Sequence, residues 1–209
     1  MDTRENLGKL ITVVGNSGVG KTTFVQQLCI NSGFIFAEEQ HERRPFQELF
    51  SLDHQRYALA NQIDYLLFRA EQETEIRNGN VTGVQDGGLD EDFHVFTRLF
   101  LQKGFLAESE YDICERTYRF LREVLPPPNL IVWLHAPLSV IAERYAQRDR
   151  RLGIAKIEDL KAMEVLLDQW LGDNDLIPVV SIDTVSEDRG YSKSIMIVMD
   201  EIDQLSNYS

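Results

Sequence analysis

A glycine-rich segment near the start of the chain constrains the fold more than any other feature of the sequence. The segment Gly15-Asn16-Ser17-Gly18-Val19-Gly20-Lys21-Thr22 has the form G-x-x-x-x-G-K-[ST], the pattern of loops that bind the phosphates of a nucleotide. An apolar, β-branched run, Leu10–Val14, precedes it, and a run that suits an amphipathic helix, Thr23–Ile30, follows it. Such a loop connects a strand to a helix, so both flanks match. The alternative is an ordinary glycine turn before a helix. Such a turn would not require the residue types of the pattern at every one of these positions.

Each residue type in the segment has a physical role in phosphate binding. The glycines allow successive backbone N–H groups to point at one anion, and the N-terminus of the next helix adds partial positive charge. Lys21 is predicted to reach the β- and γ-phosphates, and the Thr22 hydroxyl is predicted to bind Mg²⁺. The expected cofactors are therefore ATP and Mg²⁺. The predicted nucleotide-binding residues of this segment are Gly15, Asn16, Ser17, Gly18, Val19, Gly20, Lys21, Thr22 and Thr23.

Length and charge narrow the range of partners. The chain has 209 residues, which suits a single domain over 1–209. Its 34 acidic and 21 basic residues give a net charge of −13, which disfavours nucleic acid and anionic membranes as partners. Neither a signal peptide nor an apolar run of membrane-spanning length is evident. The two cysteines, Cys29 and Cys114, lack metal-site spacing and are expected to be small buried residues of a cytoplasmic protein.

Strand and helix patterns alternate along the chain. Five apolar runs predict strands over residues 10–14, 33–37, 81–85, 130–134 and 178–182. Helices are predicted over 21–31, from Pro45, and over 53–77, 90–103, 108–124, 137–148, 156–171 and 192–205. This order predicts an α/β fold with a five-stranded parallel sheet and helices on both faces. Ligands of such sheets bind beyond the carboxyl ends of the strands.

Acidic residues follow two of the predicted strands. Glu38 and Glu39 come after the second strand, where a carboxylate could accept the proton of an attacking hydroxyl. Asp86 ends the third strand and is a candidate to hold a Mg²⁺-bound water or to orient the acceptor. The alternatives are a solvated acidic loop for the glutamates and a turn aspartate before Gly87-Gly88 for Asp86.

Four arginines form the densest cationic cluster of this acidic chain: Arg144, Arg148, Arg150 and Arg151. Arg144 and Arg148 are one helical turn apart and share a face, and the other two lie where the helix should break. This arrangement predicts a lid over about 144–156 that closes guanidinium groups on the triphosphate. The alternative is a solvated helix face paired with Glu143 and Asp149.

Several further segments resemble the deoxynucleoside kinase family of P-loop kinases. The resemblance runs from about Leu10 to Asp188 and is carried by these segments: Phe36-Ala37-Glu38, Asp53 to Gln62, Asp86 to Phe96, Leu134 to Arg150, Ile157 to Leu160, and Ile182 to Asp188.

The resemblance implies a role for individual residues. It makes Glu38 the base toward the nucleoside 5′-hydroxyl, Gln62 the residue that pairs with the nucleobase, and Glu158 the partner of the sugar 3′-hydroxyl. It places Glu187 and Asp188 in the loop beside the donor adenine. The catalytic residues are then Glu38, Lys21, Asp86 and Arg148, and the remaining nucleotide-binding residues are Arg144, Arg148, Arg150, Glu187 and Asp188. A small-molecule nucleoside substrate and a homodimer are implied as well.

Two positions depart from the family pattern. Where the family has an arginine between the base and the reacting phosphate, this chain has Gly87, followed by Gly88 in place of serine. The tyrosine that contacts the sugar hydroxyl is replaced by Ser51. Losing a guanidinium that neutralises transition-state charge costs roughly 10³-fold or more in rate. Three arginines are candidates to supply that charge from elsewhere: Arg43, Arg44 and Arg69.

Three functions are compatible with these residues. The first is ATP- and Mg²⁺-dependent phosphorylation of a (deoxy)nucleoside at its 5′-hydroxyl. The second is a thymidylate-kinase-like nucleoside monophosphate kinase, which would need a cationic cradle for the acceptor phosphate. The third is a nucleotide-binding or regulatory module that has lost transfer chemistry through Gly87.

Overall fold

The computed structural model describes residues 8–38, 44–147, 157–188 and 190–207. Its first half contains β1 (Leu10–Val14), α1 (Lys21–Ser32), β2 (Ile35–Ala37), α2 (Gln47–Leu52), α3 (His54–Asn78) and β3 (Gly83–Asp86). Then follow α4 (Leu89–Glu91), a π-helical segment (Asp92–Thr97), α5 (Arg98–Gln102) and α6 (Glu108–Val124). The last elements are β4 (Leu130–His135), α7 (Leu138–Ala146), a 3₁₀ turn (Ile157–Asp159), α8 (Leu160–Gly172), β5 (Val179–Asp183) and α9 (Ser192–Asn207).

The five strands form one parallel sheet in the order β2-β3-β1-β4-β5. The predicted fold class is therefore confirmed. The register pairs Val13 with Asp86 and Ala37 with Gln85. Because the strands are parallel, their carboxyl ends reach the same edge, and Glu38, Asp86 and the first residue of the glycine-rich loop lie along it. This edge is the position that the sequence predicts for the ligands.

Helices cover both faces of the sheet. One face packs α1, α7 and α9 on the strands through apolar residues such as Phe24, Leu28 and Val198. The opposite face packs the π-helical segment and α8, with Val95, Met163 and Trp170 among the buried residues. A third apolar cluster joins α2, α3 and α6: Phe50, Ala58, Leu66, Leu89, Phe93, Phe100, Leu106 and Cys114. Among the helices in the described part of the chain, none has the length and apolar character of a membrane span.

The prediction of a continuous α-helix over 90–103 is wrong in its middle, where the structure has a π-helical segment. The carbonyl of Asp92, at the start of this segment, accepts side-chain hydrogen bonds from Thr97 Oγ1 at 3.0 Å and Gln62 Nε2 at 2.9 Å. The spacing of apolar residues carries no information about side-chain hydrogen bonds of this kind. The sequence pattern therefore could not reveal the π-helical segment. Such π segments occur often at functional sites. The helix predicted over 108–124 has the observed bounds, and most other ends differ by a few residues.

Asp53 caps α3 as its sequence position predicts. Its carboxylate accepts a hydrogen bond from the backbone N–H of Arg56 at 3.1 Å, which satisfies one of the free donors of the first helical turn. The helix ends at Asn78, just before Gly79. Its length of 25 residues carries side chains from the neighbourhood of α2 to the end of β3, and several of these side chains belong to the candidate site.

Candidate active site

The glycine-rich segment forms the predicted connection between β1 and α1. Gly15, Gly18 and Gly20 have φ values of 145°, 94° and 116°, which L side chains rarely adopt. A Cβ atom at Gly15 would lie 2.3 Å from the carbonyl oxygen of Leu134, so the loop passes too close to β4 for any larger residue. Lys21 Nζ donates to the carbonyl of Gly15 at 2.5 Å. The loop therefore has the backbone conformation that a phosphate cradle requires.

Thr22 and Asp86, the two predicted metal-binding residues, are in direct contact. Thr22 Oγ1 donates to Asp86 Oδ2 at 2.5 Å, and Asp86 is only 2% exposed. A hydroxyl and a carboxylate side by side offer the hard oxygen ligands that Mg²⁺ prefers. The donor set at the end of β3 and the start of α1 thus fits a magnesium ion held between protein and phosphate.

Glu91 is a member of the site that sequence reasoning missed. Its Oε1 accepts a hydrogen bond from the backbone N–H of Gly15 at 2.8 Å and lies 3.7 Å from Lys21 Nζ. The carboxylate is buried, so it ties α4 to the beginning of the phosphate loop. The only sequence signal was an acidic residue one helical turn after the end of β3, in a stretch that is acidic throughout. Composition alone could not single it out.

Glu38 lies at the end of β2, exposed and beside the end of β3. Its backbone carbonyl accepts a hydrogen bond from Gln72 Nε2 of α3 at 2.7 Å. The backbone at Glu38 is thus fixed to α3, while the carboxylate faces solvent at the ligand edge of the sheet. Glu39, the second predicted carboxylate, lies outside the described residues.

Arg69 lies against Gly87, the position where the family pattern has an arginine. It is fully buried, and its Nε donates to Asp92 Oδ2 at 2.9 Å. Gly87 has a φ of 81°, and a Cβ atom there would lie 2.8 Å from Arg69 Nη2 and 3.0 Å from Glu91 Oε2. A guanidinium from α3 therefore occupies the space beside the end of β3.

Of the other two arginines considered for that space, Arg44 is described and makes its contacts elsewhere. Arg44 packs over the Phe68 ring at 4.3 Å, and its Nε lies 3.4 Å from Asp64 Oδ2. Burial raises the pKa of the Asp64 carboxyl, and the charge of Arg44 opposes that rise. Arg43 lies outside the described residues. Of the three candidates, Arg69 is the one that the geometry supports.

The residues considered for contacts with the acceptor nucleoside differ in burial and in hydrogen-bond partners. Gln62 is buried, with its Nε2 donating to the carbonyl of Asp92, so its amide is oriented by the π-helical segment. Ser51 is exposed and donates within its own helix to the carbonyl of Glu48 at 2.6 Å. Glu158 is exposed in the 3₁₀ turn. It lies two residues before Leu160, whose carbonyl accepts a hydrogen bond from Asn16 Nδ2 at 2.7 Å.

Arg144 is the one lid arginine within the described residues. Its guanidinium donates to the carbonyl of Val19 at 3.1 Å and to Oγ1 of Thr184 at 2.9 Å. Arg144 thus joins α7 to the phosphate loop and to the end of β5. Residues 148–156 of the predicted lid, which include Arg148, Arg150 and Arg151, lie outside the described residues.

The two acidic residues assigned to the donor base pair locally with the start of α9. Glu187 Oε1 accepts from Ser194 Oγ at 2.6 Å, and Asp188 Oδ1 accepts from the backbone N–H of Gly190 at 2.7 Å. These contacts shape the turn after β5. Nearby, Tyr191 packs edge-on against Phe24 of α1 at 5.3 Å, so the turn is joined to the helix that follows the phosphate loop.

A buried ionic network supports the helices behind the site. The Arg122 guanidinium of α6 forms two hydrogen bonds with Glu73 and two with Asp90, each at 2.8 Å. These two carboxylates hold the pKa of Arg122 above its usual value despite burial. Tyr118 donates to Asp90 at 2.7 Å and contacts His94 Nε2 at 3.1 Å. The network fixes α4, which carries Glu91, to α3 and α6.

The two cysteines are free thiols. Cys114 is buried, as the sequence predicts, whereas the same prediction is wrong for Cys29, which is only partly buried. Burial raises the pKa of Cys29 to about 11 and, with a smaller contribution from Glu110, that of Cys114 to about 12. Both thiols are therefore protonated at neutral pH and unreactive.

Comparisons with known proteins identify the family. The family model for deoxynucleoside kinase matches residues 11–206. A deoxyadenosine/deoxycytidine kinase of Bacillus subtilis is 27% identical over 180 residues, which cover 83% of this chain and 81% of that protein. A deoxyguanosine kinase of the same organism is 23% identical over 194 residues, covering 90% of this chain and 93% of that protein.

A solved structure supports the same fold. The deoxyadenosine kinase from M. mycoides with bound dCTP superposes with a TM-score of 0.78 at 18% sequence identity, covering 93% of this chain and 99% of that one. Structural likeness at that identity concerns the fold alone. The family model covers nearly the whole chain, and the chain therefore belongs to the deoxynucleoside kinase family.

Proposed function

We propose that the protein transfers the γ-phosphoryl group of ATP to the 5′-hydroxyl of a (deoxy)nucleoside. The observation that carries the proposal is the meeting of three groups at one sheet edge. The phosphate loop follows β1, Glu38 follows β2, and Asp86 ends β3 in contact with Thr22. Phosphoryl transfer needs a held donor, a base for the acceptor hydroxyl and charge neutralisation between them. This edge supplies residues suited to each task.

Glu38 is proposed as the general base. Its carboxylate is exposed at the ligand edge, and the hydrogen bond from Gln72 to its backbone fixes the start of its side chain. A carboxylate held this way accepts the hydroxyl proton as the oxygen attacks the γ-phosphorus and the bond to the leaving ADP breaks. The proton ends on Glu38 and the phosphoryl group on the 5′-oxygen. Base catalysis of this kind contributes roughly 10²- to 10⁴-fold in rate.

The donor half of the proposed site consists of the phosphate loop from Gly15 to Thr23 and the arginines of the lid. Lys21 exchanges its contact with the Gly15 carbonyl for a phosphate oxygen, and Arg144 holds the loop at Val19. Thr22 and Asp86 would hold a magnesium ion, which would neutralise charge on the phosphate oxygens. Arg148, Arg150, Glu187 and Asp188 keep the nucleotide-binding roles that the family resemblance implies.

The acceptor half is proposed to use Gln62 for the nucleobase and Glu158 for the sugar. The Gln62 amide is buried and oriented by the carbonyl of Asp92, which suits a residue that must present a fixed donor and acceptor pattern. By family analogy we also propose a cytoplasmic homodimer formed by a single domain over residues 1–209. Light scattering coupled to size exclusion tests the dimer.

One screen tests the activity. The protein is incubated with ATP, Mg²⁺ and each nucleoside or nucleoside monophosphate, and ADP release is followed. We expect turnover with nucleosides, and we expect Glu38→Gln to lower kcat by roughly 10²- to 10⁴-fold. The matched control is Glu75→Gln, an exposed glutamate of the cavity that Glu38 also lines, which should leave kcat unchanged.

The other outcomes of the screen contradict the proposal. Turnover with monophosphates alone would identify a nucleoside monophosphate kinase. ATP binding without turnover of any acceptor would identify a nucleotide-binding module. Equal loss of activity in the two glutamate variants would remove Glu38 from the role of base.

A further inference from the structure

Asp90 and Glu91 are adjacent buried carboxylates of α4 that contact different parts of the molecule. Asp90 is 6% exposed and Glu91 is 2% exposed. Consecutive residues of a helix project about 100° apart, so the two side chains leave α4 in different directions. Asp90 accepts hydrogen bonds from α6, and Glu91 accepts one from the phosphate loop. The pair therefore forms a connection between α6 and the loop, and the proposed transfer assigns no step to either residue.

Glu91 contacts both ends of the phosphate loop. Its Oε1 accepts a hydrogen bond at 2.8 Å from the backbone N–H of Gly15, the first residue of the loop, and lies 3.7 Å from Nζ of Lys21. Lys21 Nζ in turn donates to the carbonyl of Gly15. These three contacts form a closed ring between α4 and the loop. They restrict the loop before a nucleotide arrives, so binding requires less ordering of the loop.

Hydrogen bonds from α6 determine where α4 lies. Asp90 Oδ1 accepts from the Tyr118 hydroxyl at 2.7 Å and from Arg122 Nε at 2.8 Å, and Asp90 Oδ2 accepts from Arg122 Nη2 at 2.8 Å. The same guanidinium donates to Glu73 of α3. Because α4 has only three residues, a displacement of Asp90 also moves Glu91. The position of Glu91 therefore depends on the packing of α6.

We propose that Glu91 is a positioning residue for the phosphate loop, and that the hydrogen bonds from α6 to Asp90 affect ATP binding through it. The Glu91 carboxylate has two opposing effects on ATP. Its hydrogen bond to Gly15 fixes the loop and favours binding, whereas its negative charge beside Lys21 repels the phosphates. The inference rests on the proposed function, since it takes ATP as the nucleotide that the loop binds.

Two substitutions of Glu91 separate these effects. Glu91→Gln and Glu91→Leu both remove the charge, but the glutamine oxygen can still accept the N–H of Gly15. Calorimetry with ATP and Mg²⁺, without a nucleoside and well below the Tm of each variant, gives the Kd. Glu91→Gln should bind ATP at least as tightly as the wild type, and Glu91→Leu roughly 10-fold more weakly than Glu91→Gln. Equal Kd values in the two variants, with a lower Tm only, would show a purely structural role and overturn the inference.

Tyr118→Phe tests the contribution of α6. It removes one hydrogen bond to Asp90 and keeps the ring that stacks on Phe93 at 4.2 Å. It should weaken ATP binding roughly 3-fold in the wild type and have no effect in the Glu91→Leu background, where the connection to the loop is already broken. The matched control is Tyr111→Phe, which should leave the Kd unchanged, since Tyr111 lies on the same helix and also packs on Phe93, at 6.0 Å. The same loss of affinity in both backgrounds would contradict a route through Glu91.

Because the readout is ATP binding, the inference and the proposed activity can fail separately. The expected Kd differences without turnover of any nucleoside would support the inference and refute the proposed function. Turnover of nucleosides with equal Kd values in the two Glu91 variants would do the reverse. Absence of ATP binding to the wild type would overturn both.

Discussion

Substitution of Gly87 tests most directly which side chains form the part of the proposed site that binds the acceptor nucleoside. The family pattern has an arginine here, so Gly87→Arg would restore a missing charge if the space were free. The structure indicates the opposite. The backbone has a φ of 81°, and a Cβ atom would lie 2.8 Å from Arg69 Nη2 and 3.0 Å from Glu91 Oε2. Any side chain at this position must displace one of two buried charged groups.

The expected cost has two parts. A residue other than glycine with this backbone conformation is destabilised by about 1–3 kcal/mol, which corresponds to a fall in Tm of roughly 2–4 °C per kcal/mol for a chain of this size. Displacement of Arg69 from Asp92 adds to this cost, because both groups are buried. We therefore expect Gly87→Ala to lower Tm and kcat, and Gly87→Arg to lower both further.

Gly104→Ala is the matched control for backbone strain. Gly104 has a φ of 67°, and nothing lies within 4 Å of its Cβ position. The difference between the two alanine variants, measured by urea unfolding and by ADP release, therefore isolates the crowding of Arg69 and Glu91. A loss of stability in Gly87→Ala no larger than that in Gly104→Ala, or a higher kcat in Gly87→Arg, would refute crowding at Gly87.

Two further predictions concern buried charges behind the site. Burial lowers the pKa of His94 from 6.5 to about 4. Between these two pH values the unfolded chain therefore binds a proton that the folded chain does not bind. The free energy of unfolding is greatest above pH 6.5 and falls as the pH is lowered toward 4. In urea unfolding, the free energy of unfolding should fall by about 2 kcal/mol between pH 7.5 and pH 5. His94→Gln should remove this part of the pH dependence. An unchanged pH dependence in the variant would refute the assignment of this loss to His94. Arg122→Met should lower the free energy of unfolding by about 3–5 kcal/mol, because it leaves Glu73 and Asp90 buried without their cation. Arg119→Met, on the exposed face of α6, should change it by less than about 0.5 kcal/mol, and equal effects of the two changes would contradict this account.

The fold could be predicted because its signals are local. Apolar runs predict the five strands. The strand–loop–helix pattern around Lys21 predicts the positions of β1 and α1. Asp53 marks the start of α3 through a contact three residues away. The π-helical segment could not be predicted from local patterns, because one of the hydrogen bonds at its start comes from Gln62, which is 30 residues distant in sequence from the Asp92 carbonyl that it binds.

The site was predictable only where its residues adjoin the ends of strands. Thr22 and Asp86 follow from position, and their contact confirms that they lie together. Glu91 and Arg69 come from the interior of helical patterns, and their roles depend on tertiary contacts. Arg69 was one of three arginines that the sequence could not rank, and the crowding at Gly87 selects it.

The charge balance of the site explains how so acidic a chain can bind triphosphate. In the described part of the site, Lys21 and Arg69 each have a carboxylate beside them, Glu91 and Asp92 respectively, and the guanidinium of Arg144 is bonded to Val19 and Thr184. With Asp86, three carboxylates surround two cations, so these side chains alone do not attract a phosphate. In the proposed mechanism the attraction comes from the backbone N–H groups of the loop, the N-terminus of α1, the arginines of the lid and a divalent ion that Thr22 would hold. The carboxylates instead hold Lys21 and Arg69 in place before substrate arrives, which favours positioning over net charge as the basis of the proposed catalysis.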